Sequence, residues 1–135
     1  MTDQKEIAGI FNDFLGFYNG KKPVGLQELL QKYKCHPVLL GLLSNMDSAT
    51  KIPVSTAMKE IYDFYKLYRN RDLEETDWKN VTAMAAKLDE KWKENPWVRQ
   101  VLLDMVGLLD SDDQERRAIE KEVAEEMEKA QQAAA

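Results

Sequence analysis

Residues 76–109 read TDWKNVTAMAAKLDEKWKENPWVRQVLLDMVGLL. Within them Trp78, Val81, Ala85, Leu88 and Trp92 step forward by alternating threes and fours, which puts all five on one side of an α-helix. Thr76 offers a side-chain oxygen to the free backbone N–H groups at the helix start. Asn95-Pro96 then forces a boundary, because the residue before proline avoids the helical region while asparagine caps and proline pre-sets the next helix. That next helix carries Val98, Val101, Leu102, Met105, Leu108 and Leu109. Two long amphipathic helices joined by a tight turn predict an all-α domain.

The same period runs outward in both directions. Toward the N-terminus, Ser55 is the expected cap of a helix with Ala57, Met58, Ile61, Tyr62, Phe64, Tyr65 and Tyr68 on its apolar face. Before it, residues 37–46 (PVLLGLLSNM) are apolar around nearly the whole circumference, so that helix is expected at the centre, enclosed by the others. Leu26, Leu29, Leu30 and Tyr33 form a shorter helix that ends before His36-Pro37. Ile7, Ile10, Phe11, Phe14, Leu15 and Tyr18 form the first helix, with Asp3 and Glu6 as a capping pair and Gly20 as its left-handed stop.

Toward the C-terminus, Asp110-Ser111-Asp112-Asp113 reads as the cap of a separate final helix, since carboxylates there meet both the free N–H groups and the helix dipole. This helix, about 112–130, is held by i,i+4 pairs such as Asp113–Arg117, Arg116–Glu120, Lys121–Glu125 and Glu125–Lys129. Residues 131–135 are expected to fray. No stretch alternates apolar and polar residues like a strand, and no internal repeat is expected. The expected architecture is a single-domain irregular bundle of six to seven short helices. Residues 1–110 form the body, and 111–135 form an acidic C-terminal helix, in the same domain or projecting.

Composition narrows the function. The 135 residues, 44% apolar and 32% charged, suit one globular domain. The single cysteine, Cys35, forms no internal disulfide, and the polar start MTDQKEIAGI lacks the pattern of an export signal, so a cytoplasmic setting is expected. Val38–Leu43 is too short to cross a membrane. Of the formal charge of −5, all resides in residues 110–129, which hold nine acids against four bases. The rest of the chain is neutral. A neutral body with an acidic end argues against direct nucleic-acid binding, which needs cations facing phosphates.

Specific chemistries also fall away. One His and one Cys cannot complete a zinc site, and His36 lacks the Glu three positions earlier that di-iron helices use. Gly20–Gly25 has no Lys-Ser/Thr after it and no preceding strand, so it is a turn. Asp110–Glu115 lacks the glycine and the distal glutamate of a calcium loop. Cys35 is read as ending a helix and His36 as a residue of the next cap. No cofactor is expected. Carboxylate-only catalysis would have to pair Asp104 with Asp63 or Asp89.

Three functions remain. The leading expectation is a non-enzymatic protein–protein interaction module, a regulatory adaptor or inhibitor of a basic partner such as a nucleic-acid-handling protein. A viral or mobile element would be one origin for it. Its contact residues would be Ile119, Val123 and Met127, with Glu120 and Glu126 beside them, meeting a partner protein or a second copy. A second expectation is a small-molecule pocket between helices lined by Tyr62, Tyr65, Trp78 and Trp92. A third is a helix-turn-helix-like, DNA-associated regulator presenting Ser55, Thr56 and Lys59.

Overall fold

The computed structural model describes residues 1–134, which form seven α-helices and no strand. They are α1 (Gln4–Tyr18), α2 (Leu26–Lys32), α3 (Pro37–Leu43), α4 (Met46–Ala49), α5 (Val54–Tyr68), α6 (Glu75–Lys91) and α7 (Pro96–Ala134). The all-α bundle expected from periodicity is what the chain forms. No helix among the described residues is long and apolar enough to cross a membrane.

The bundle is built on the crossing of α3 and α7, the most extensive helix pair in the molecule. Val38, Leu39 and Leu42 of α3 are buried against Trp97, Val98, Val101, Leu102 and Met105 of α7. Trp97 is wholly buried, stacks near Phe14 of α1 at 6.2 Å, and donates its indole N–H to the Leu42 carbonyl at 2.8 Å. That carbonyl lies in the last turn of α3 and has no partner within its own helix. Tyr65 is also wholly buried, its hydroxyl held by Gln4 at 2.9 Å. Enclosure of α3 is incomplete, because Leu40 remains 46% exposed.

Several local expectations are corrected. The final helix is not separate: α7 runs 39 residues through Asp110–Asp113 without a break. Asp112 and Asp113 are buried and accept backbone N–H groups from Thr2 and Leu73 instead of from their own helix. The helix also continues to Ala134 where fraying was expected; Ala135 lies outside the described residues. Residues 37–46 divide, since the Ser44 hydroxyl takes the Gly41 carbonyl at 2.7 Å and Asn45 turns left-handed, φ 55°. α5 starts at Val54, ahead of Ser55. α6 starts at Glu75, where Glu74 and Asp77 form the capping box instead of Thr76.

The expectation of no internal repeat is corrected as well. α1 and α5 have the same length, and Asp13-Phe14, Tyr18 and Gly20 recur as Asp63-Phe64, Tyr68 and Asn70. Gly20 and Asn70 both turn left-handed at φ 69° and 61°. Lys32-Tyr33-Lys34-Cys35-His36-Pro37 then recurs as Lys91-Trp92-Lys93-Glu94-Asn95-Pro96. In both turns the third and fourth residues take positive φ, 52° and 53° in one and 55° and 57° in the other. Cys35 N–H reaches the Leu30 carbonyl as Glu94 N–H reaches that of Asp89, at 2.9 and 2.8 Å. His36 and Asn95 each cap the helix that follows, through Val38 N–H and through Trp97 N–H. Even the outward anchor recurs. Lys32 and Tyr33 both bind Asp13 of α1, while Lys91 and Trp92 both bind Glu60 of α5. Lys32 first, then Tyr33, holds the Asp13 carboxyl far below the ordinary carboxylate range. The chain thus repeats one local pattern in two units, α1–α3 and α5–α7, with α3 packed on its counterpart α7.

One carboxylate sits awkwardly at that crossing. Asp104 has Oδ1 bound by Gln100 at 3.0 Å, but its buried Oδ2 has no hydrogen-bond partner. A Cβ added at Gly41 would lie 1.8 Å from that oxygen, so α7 presses its carboxyl against bare α3 backbone. Burial pushes the Asp104 carboxyl up, only partly opposed by Gln100. A carboxyl that releases its proton more readily unfolded than folded weakens the fold as pH rises above the ordinary Asp range. Asp104→Asn should therefore raise the urea midpoint at pH 7 and leave it unchanged near pH 3. Trp97→Ala should cost about 3–5 kcal/mol of unfolding free energy by the same titration. Trp97→Phe should cost less, because it abandons the Leu42 carbonyl while keeping most of the ring packing.

Candidate interaction surface

Where α7 leaves the body, a ring of polar contacts holds it. Asp112 Oδ1 accepts from the Thr2 backbone N–H at 3.0 Å and from its hydroxyl at 2.8 Å. Asp113 and Arg117, one turn apart, grip both backbone groups of Leu73 in the α5–α6 loop. Asp113 Oδ1 accepts its N–H at 2.9 Å, and Arg117 Nη2 donates to its carbonyl at 2.5 Å. The two side chains also bind each other at 3.1 Å. Arg116 donates to the Arg71 carbonyl. Leu73 is itself buried, so these bonds satisfy backbone that water cannot reach.

This ring explains the fate of the charge pairs expected along the final helix. Asp113–Arg117 forms, but Arg116 is drawn to the loop instead of to Glu120. Lys121–Glu125 and Glu125–Lys129 do not close among the described residues, and Lys129 instead meets Glu126 at 3.8 Å. Such exposed pairs contribute little in any case.

Burial pushes the Asp113 carboxyl up, but the Leu73 N–H and Arg117 outweigh it and hold it below the ordinary Asp range. The stability it contributes is therefore present above that range and lost as pH falls through the lowered value. Asp113→Ala strands the Leu73 N–H in a buried position. It should cost about 1–3 kcal/mol at pH 7, and the gap from the parent should narrow on acidification, followed by urea unfolding across pH.

Beyond Arg117 the surroundings change abruptly. Every residue from 118 to 134 is exposed, on all sides of the helix. At 1.5 Å per residue this is an arm of about 25 Å. Ile119, Val123 and Met127 are 46%, 52% and 61% exposed and lie along one line of it. Glu120 and Glu126 flank that line. Glu120 has a carboxylate near it, Asp72 of the loop, whose proximity pushes its carboxyl up. All five residues expected to contact a partner are thus exposed on the part of α7 that extends past the body.

The four rings expected to line a pocket are not gathered. Tyr65 is core. Tyr62 faces Phe11 across an open α1–α5 groove of about 210 Å³, its hydroxyl bound by Arg69. Trp92 ends α6 and spends its N–H on Glu60, and Trp78 lies half-buried toward the start of α6. The reason is that Tyr62 and Tyr65 belong to the side of α5 turned to α1, whereas Trp92 serves the α6–α7 turn. Two further open grooves are apolar. One, about 300 Å³, lies between Ala85, Ala86 and Leu102, Leu103, Val106; the other, about 420 Å³, includes Phe64, Leu67, Met84 and Leu88.

Ser55, Thr56 and Lys59 are exposed on α5, and the short α4 lies between α3 and α5. Lys59 pairs with Asp63 at 2.9 Å. Asp63, Asp89 and Asp104 do not face one another: Asp63 pairs with Lys59 and Lys66, Asp89 with Arg99, and Asp104 lies against α3. Cys35 is exposed within the first turn, and His36 caps α3 with Nε2 3.3 Å from Glu6. Among the described residues no three His, Cys, Asp or Glu side chains converge as a metal site.

Comparison with protein-family models, with curated proteins and with solved structures returns no match.

Proposed function

We propose that the chain is a non-enzymatic protein–protein interaction module, an adaptor or inhibitor that presents the outer part of α7 to a basic partner. The observation that carries this reading is the uninterrupted helix beyond Arg117, which keeps its apolar line in water. Such a line reduces solubility and adds nothing to the body's core, so its use lies outside the molecule. The internal repeat supports the same division. In the first unit the counterpart of α7 ends with α4 at Ala49, so the arm is an addition to the repeated fold and not part of it. The free, exposed Cys35 fits a reducing, cytoplasmic setting.

Deleting residues 118–135 tests the reading, because it spares the Asp112–Arg117 ring. The shortened protein should unfold within roughly 0.5 kcal/mol of the parent, as expected for removal of exposed residues. Affinity capture from the native extract should then lose the partners that the parent retains. An unchanged set of captured proteins would remove the arm from consideration.

A further inference from the structure

We infer that the outer face of α7 pairs side by side with a single basic helix, and that a second copy of this chain is excluded from that role. The inference rests on reading residues 118–134 as the presented element, and takes its direction from where charges stand around the apolar line. At about 100° per residue, Ile119, Val123, Met127 and Ala130 fall within an arc of roughly 80°. That is the width of a coiled-coil seam, narrower than the face a helix buries in a globular core. Its steps of four, four and three are close to the seam period. One helix, not a broad pocket, covers such a strip.

The flanks decide which helix. Glu120 stands about 60° to one side of the seam and Glu126 about 60° to the other, with Glu122 further round at about 100°. The cations of the arm, Lys121 and Lys129, stand roughly 120–160° away, toward the back. Residues 118–134 carry five acids and two bases in all. Side chains beside a seam meet those beside the partner's seam, and they set partner choice. In a pair of identical arms, parallel or antiparallel, glutamate would face glutamate on both edges. Three apolar side chains bury too little area to overcome that repulsion together with the loss of free motion on association. A partner with lysine or arginine on both edges turns each repulsion into attraction.

Two synthetic 28-residue helices, both with leucine at the seam positions, provide the probes: one carries lysine at every flanking position, the other glutamate. The full chain alone should sediment as a monomer at neutral pH. Calorimetric titration at low salt should show one-to-one binding of the lysine-flanked helix and none of the glutamate-flanked one. Val123→Asp should weaken the lysine-flanked complex at least tenfold, which separates seam pairing from general attraction of a cation to an acidic surface. The double variant Glu120→Lys, Glu126→Lys should reverse the preference. All three positions are exposed, so the variants keep the fold. A dimer of the chain alone that Val123→Asp dissolves would overturn the inference, as would equal binding of the lysine-flanked helix by parent and Val123→Asp. Failure of both probes, with capture from extract still lost on deleting 118–135, would leave the interaction reading standing and refute the basic helix. If deletion changes no capture, the reading itself fails.

Discussion

The indole N–H of Trp97 ends on the carbonyl of Leu42, and the bundle is arranged around that bond. A tryptophan can be wholly buried only if its one polar atom finds a partner, and the closing turn of α3 has carbonyls that need donors. Each requirement satisfies the other. The bond fixes how α3 crosses α7, and with the crossing set, Phe14 is placed over the Trp97 ring and α1 is seated. Asp104 reports how close the helices come, because its carboxyl is driven onto the only residue of α3 with no side chain to oppose it.

The recurrence of α1–α3 in α5–α7 means that this pairing joins matching elements of the two units. Each unit has a long helix, a turn with two consecutive left-handed residues, and a capped helix starting with proline. Left-handed backbone at Lys34, Cys35, Lys93 and Glu94 is costly for residues with side chains. It persists because the aromatic and lysine just before each turn are tied to a carboxylate of the neighbouring long helix. The units also differ. α2 has 7 residues and α6 has 17, and Asn45 stops in the first unit what Asp104 lets continue in the second.

Much of this was legible in the sequence, and the exceptions have physical causes. Helical period located α1, α5 and α6 and both parts of α7, though not their continuity, and Asn95-Pro96 and His36-Pro37 marked two true boundaries, because proline and its neighbour act locally. The repeat was hidden because the lengthened α6 destroys any fixed spacing between matching residues. Asp112 and Asp113 were read as caps, which is what carboxylates near backbone N–H groups do. Here the N–H groups belong to Thr2 and Leu73, remote in sequence and close only after folding. Ile119, Val123 and Met127 were recognisable as a line too thin to anchor a helix. Tyr62, Tyr65, Trp78 and Trp92 show the opposite limit, since composition reveals that aromatics are plentiful but not which way each faces.

The continuity of α7 gives the molecule one further property. The rod that carries Trp97 at its inner end carries Val123 at its outer end, and no hinge divides them. A force applied to the tip is delivered as torque to the middle of the core, with the grip on Leu73 acting as fulcrum. Whatever seizes the tip thereby also holds the handle of the fold.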